Sequence, residues 1–97
     1  MLVRVVRMRF RPEAVPAFLV LFHRTADRIR ASPGCRHLEL WQDAADPAHF
    51  ATHSHWDDDA ALDAYRHGDL FRDTWRETKA LFAAPADATS YASVWPE

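Results

Sequence analysis

Among its 97 residues the chain has one cysteine, two glycines, one lysine and no asparagine. Cys35 stands alone, which excludes an internal disulfide and a thiolate metal cluster. Its place after Ser32-Pro33-Gly34 marks it as a small, half-buried hydrophobe at a turn entering a strand, in preference to a nucleophile. Excess positive charge is also missing: the formal charge is −2, the pI is near 6.3 and the arginines are scattered, so there is no basic footprint for nucleic acid. No run approaches the roughly 18 consecutive apolar residues of a membrane span. The opening MLVRVVRMRF alternates instead of building a signal-peptide core. The expectation is a cytoplasmic protein that binds neither membrane nor nucleic acid. The preference for Arg over the single Lys79, the abundance of Ala and the absence of Asn carry no chemistry of their own.

What is present is ordinary globular material, 48% hydrophobic and 27% charged, and its length predicts a single domain over residues 1–97. A chain this short buries only about 60–65% of the surface its unfolded form exposes, so association would help it. Residues 2–11 alternate as a strand, with Leu2, Val6, Met8 and Phe10 on one face and Arg4 among them, and Val3, Val5, Arg7, Arg9 and Arg11 on the other. Glu13 to Ala31 then reads as a helix burying Val15, Phe18, Leu19, Phe22, Ala26 and Ile29, with Pro16 near its first turn. Cys35–Gln42 and His49–Trp56 are predicted as a hairpin around the turn-forming Asp43–Pro47. Thr89 to Trp95 has the composition of a last strand.

The stretch from Trp56 to Phe82 gathers most of the aromatic and imidazole groups able to do chemistry. Asp57 or Asp58 can cap a first helix, and Ala61, Leu62 and Tyr65 follow at helical spacing. His67-Gly68-Asp69 breaks it, with Gly68 expected in the left-handed conformation that ends a helix. Phe71, Trp75, Thr78 and Phe82 then form one stripe of a second helix. The resulting order, β-α-β-β-α(α)-β, is a ferredoxin-like split βαβ arrangement of the α+β class. It predicts a four-stranded antiparallel sheet with the helices on one face. Apolar groups such as Val3, Val5 and Trp41 on the other face predict that two subunits close their sheets on one another as a homodimer.

The opening strand running into FRPE, the SPGC turn, the paired strands HLELWQD and HFATHSHW, and Trp-Asp followed by ALDAY, a His and LFRDTW resemble the antibiotic-biosynthesis monooxygenase family of dimeric α+β barrels, which includes small quinol monooxygenases. The resemblance spans nearly the whole chain but contains no strict catalytic signature. It implies a homodimer with a cavity in each subunit, and oxidation of a small phenolic, quinol or anthrone-like aromatic by dioxygen without metal, flavin or haem. Such chemistry needs the substrate itself as electron donor, and so a base, aromatic walls and donors for charge developing on oxygen. His67 and His53 are candidates for base or proton shuttle. Trp56, Tyr65 and Trp75 can clamp a ring, and Tyr65 or Arg76 can donate to an oxyanion. For each there is a plainer role: core packing for Trp56 and Trp75, a helix C-terminal cap for His67, a solvated charge for Arg76.

His53 and His55 share a strand face with His37 nearby, an arrangement that can share an ion, with Glu39 as the available carboxylate. The plainer alternative is a polar patch at the subunit interface, and no metal is assigned. Whether His53 and His55, or Thr52, Ser54 and Trp56, face the helices is left open by the alternation. Haem-degrading relatives use an axial His where Trp75 stands and an Asn from the first strand, neither of which this sequence has. Two further readings compete with the oxygenase: a non-catalytic ligand-binding domain, and a small isomerase or other acid–base enzyme.

Overall fold

The structure, a computed structural model, describes residues 1–96. Strand β1 (Leu2–Arg9) is followed by a short 3-10 turn over Pro12–Ala14 and helix α1 (Val15–Arg30). Strands β2 (Cys35–Gln42) and β3 (His49–Trp56) form the expected hairpin, and α2 (Asp59–Arg66), α3 (Asp69–Lys79) and β4 (Asp87–Ala92) complete the chain. The strands make one antiparallel sheet in the order β2-β3-β1-β4, and the fold is α+β.

Each boundary has a local cause. Pro12 lacks an amide hydrogen and ends strand pairing, so the ladder stops at Arg9, two residues short of the predicted Arg11, and Phe10 keeps only an isolated bridge to Phe82. Gly34, at φ +82°, turns the chain from α1 into β2; a Cβ there would lie 2.5 Å from the Ala61 Cβ on α2. Asp58 caps α2 by accepting from the Ala61 amide at 2.8 Å. Asp57 instead takes a bidentate pair from Arg36 at 2.7 and 2.9 Å, tying the β3–α2 corner to β2.

Two sequence expectations are corrected. Gly68 separates α2 from α3, but at φ −87°, ψ 166° it is extended rather than left-handed, and it serves as the N-cap of α3. The last strand runs over Asp87–Ala92 and not Thr89–Trp95. Its register explains why: Ala92 pairs with Leu2, the first residue of β1, so Trp95 has no ladder to join and is 84% exposed.

The core lies between the sheet and the helices, around Met8, Phe10, Phe18 and Phe50. Phe10 stacks on Phe18 at 4.1 Å and meets Phe50 edge-on at 5.9 Å, a geometry suited to the ring quadrupoles. On α1 the buried positions are Phe18, Leu21, Thr25 and Ile29. Thr25 and Thr78 tolerate burial because each hydroxyl donates to the carbonyl four residues back, at 2.9 and 2.7 Å. No helix among the described residues is long and apolar enough to cross a membrane.

Candidate functional site

Strand alternation sends Arg4, Val6 and Met8 of β1 and Thr52, Ser54 and Trp56 of β3 toward the helices, which settles the parity the sequence left open. There they meet α1, α2 and α3 around a cavity of about 150 Å³. One wall is a continuous aromatic series. Trp56 stacks on Tyr65 at 4.9 Å, Tyr65 meets Phe71 edge-on at 5.3 Å, and Phe71 stacks on Trp75 at 5.8 Å. Trp56 is held in place by its indole N–H, which donates to Ser54 Oγ at 3.0 Å with both residues buried.

The charged side chains lining the cavity are Arg4 and Arg66, and the polar ones are hydroxyls: Thr25, Thr52, Ser54, Tyr65, Thr74 and Thr78. Arg4 is anchored by donating to Ser90 Oγ at 2.9 Å. Burial, and then the like charge of Arg66, push its pKa down. Two cations sharing one space disfavour each other, and an anion placed with them relieves that cost. Burial also pushes the Tyr65 hydroxyl up to about 12, with Cys35 adding to the shift. At neutral pH Tyr65 therefore keeps its proton, and its hydroxyl can donate a hydrogen bond to a ligand.

Of the sequence candidates, Trp56, Tyr65 and Trp75 come together in this cavity. His67 does not line it: the ring Nδ1 lies 2.7 Å from the Asp63 carbonyl and the residue closes α2 in an exposed position. Arg76 points to solvent and donates to Asp73 at 3.1 Å. His53 lies on the opposite face of the sheet, stacked against Trp41 at 4.6 Å. No imidazole or carboxylate lines the cavity among the described residues. The residues missed as members of the site are Arg4, Arg66 and the Ser and Thr hydroxyls. Arg4 had left a signal, a charge set among apolar residues on the core-facing side of β1. Ser54 needed the parity of β3.

Comparison with known proteins agrees with this architecture. The family model described as Antibiotic biosynthesis monooxygenase matches residues 1–77. Among solved structures, one described as an antibiotic biosynthesis monooxygenase superposes with a TM-score of 0.91 at 26% identity, covering 97% of this chain and 99% of that one. A conserved protein from Methanosarcina mazei Go1 gives 0.90 at 20% identity over 96% and 93% of the two chains. A Mycobacterium tuberculosis protein gives 0.88 at 22% over 96% and 94%. No curated protein sequence matches.

Proposed function

Because the chain belongs to the antibiotic biosynthesis monooxygenase family, we propose that it oxidises a small phenolic or quinol ring with dioxygen, drawing the electrons from the substrate without a cofactor. The observation that carries this reading is the cavity itself, with an aromatic wall along one side and two guanidiniums as its charged groups. Ground-state dioxygen reacts slowly with neutral closed-shell molecules, and ionising a phenol raises its electron density. Arg4 and Arg66 favour the phenolate over the phenol. Trp56 and Trp75 hold the ring, and the Tyr65 hydroxyl donates to an oxygen that gains charge. For a hydroquinone the balance is hydroquinone plus dioxygen to hydroxyquinone plus water, with the ring giving up four electrons. The substrate proton leaves to solvent, a route that needs no imidazole in the cavity.

A volume of about 150 Å³ accommodates one benzene-sized ring. Monocyclic quinols are thus the expected substrates, ahead of three-ring anthrones. The test is oxygen uptake with matched panels of both, with products identified by mass. Uptake above autoxidation, yielding the hydroxyquinone with monocyclic quinols, supports the reading. Uptake equal to background across the panel refutes it.

The lack, among the described residues, of an imidazole or carboxylate in the cavity favours, as the second reading, a domain that binds an aromatic anion without turning it over, ahead of an acid–base isomerase. We also infer a homodimer through the outer sheet face, where Trp41 and Tyr91 are 44% and 47% exposed beside Val3 and Val5.

A further inference from the structure

The outer face of the β2–β3 hairpin carries a second cluster, separated from the cavity by the sheet. The register sets His37 opposite His55 and Glu39 opposite His53, and alternation turns all four to the side away from the helices. Directly opposed side chains in such a ladder stand about 5 Å apart at Cβ, so the four form a two-by-two square. One ligand atom each from His37, Glu39 and His53 lies within 4.8 Å of the others. The His37 Nε2 touches the Glu39 carboxylate, and the rings of His37 and His53 are 5.7 Å apart.

The square is braced from two sides. The Trp41 ring stacks on His53, and its indole N–H donates to Glu39 Oε1 at 2.7 Å. His55 Nε2 lies 3.1 Å from His53 Nε2. The other nitrogen of His53, Nδ1, is buried with no hydrogen-bond partner among the described residues. An orphaned buried ring nitrogen is costly and calls for a reason. An imidazole with one nitrogen engaged by a neighbour and the other unpaired is also the arrangement of a metal-ligating histidine.

We propose that His37, Glu39 and His53 bind a divalent transition ion of the zinc class, with His55 and Trp41 positioning the ligands. Two imidazole nitrogens and one carboxylate oxygen form a common three-ligand zinc set, which leaves a fourth position for water. Calcium and magnesium are disfavoured, since they require six or more oxygen ligands or an octahedron of them. All three ligands come from one hairpin, so no second copy has to supply one, although the site lies on the outer sheet face through which the homodimer is inferred. It is independent of the oxygenase reading, because its residues lie across the sheet from the cavity.

The experiment is Zn²⁺ titration of the chelator-treated full chain against a chromophoric chelator, with Co²⁺ substitution as an optical readout of the ligand set. The expected result is one ion per chain. Glu39→Gln and His37→Gln should each weaken binding by about ten-fold or more, while His23→Gln, exposed on α1, should bind as the parent does. His37 and Glu39 are half exposed, so their replacement empties no core, and circular dichroism checks that each variant is folded. Binding by the His37→Gln/Glu39→Gln double variant as tight as the parent's overturns the proposal. So does a Co²⁺ spectrum indifferent to these substitutions, or no binding at all.

Discussion

Gly34→Ala tests how the turn before β2 positions the cavity. The substitution places a Cβ 2.5 Å from the Ala61 Cβ at a residue whose φ is +82°. The left-handed conformation costs a residue with a Cβ about 1–2 kcal/mol, and forcing extra volume against the Ala61 Cβ costs about 1–3 kcal/mol more. A less flexible unfolded chain returns about 0.5 kcal/mol. The net loss should be roughly 3 kcal/mol, or about 12–24 °C in Tm at this chain length. The contact is with α2, which carries Leu62, Tyr65 and Arg66 into the cavity wall, so ligand affinity should fall as well. Ala61→Gly alone should cost about 1 kcal/mol through helix propensity. In the double variant the clash is gone and the conformational cost remains. Urea unfolding of all four proteins should therefore give a favourable coupling of about 1–3 kcal/mol, the size of the relieved clash. Additivity within about 0.5 kcal/mol would refute the claim that Gly34 is required by the close approach of α2.

Four further outcomes are expected. Trp41→Asp should convert the proposed homodimer to monomer by light scattering, because it places an unpaired charge in the proposed interface; a variant that stays dimeric counts against that surface. Arg4→Met should weaken binding of a phenolate analogue about 10–100-fold, the value of a charge-assisted hydrogen bond, while a neutral ring of equal size binds as before. Asp57, held below the usual carboxylate range by its hydrogen bonds from Arg36, contributes stability that is present above about pH 4 and lost as pH falls. Asp57→Asn should flatten the acid limb of the urea midpoint below about pH 4. Tyr65, raised from 10.0 to about 12, contributes stability that is complete below pH 10 and lost as pH rises through 12, and Tyr65→Phe should remove that alkaline loss.

The sequence made the scaffold legible wherever one periodicity ruled a segment. Cys35–Gln42 and His49–Trp56 alternate between clear turn residues, and both strands have the predicted bounds. The aromatic wall followed from Trp56, Tyr65 and Trp75, whose bulk and spacing put them on faces the fold had to bury. His67 and Arg76 misled because residue type speaks of chemistry while helical phase decides direction, and both phases point outward. His53 depended on strand parity, which one residue of register reverses. Thr25 escaped notice because burying a hydroxyl depends on a hydrogen bond to the preceding turn, which a hydrophobic pattern does not register.

The most direct test of the central claim, that the cavity holds an aromatic anion between Arg4 and Arg66, is the ionisation of bound para-nitrophenol, followed by its absorbance as pH is varied. The account predicts a bound pKa below that of the free phenol, with the shift reduced in Arg4→Met and in Arg66→Met. A bound pKa equal to or above the free value would contradict it, since an apolar pocket without cationic help favours the neutral phenol.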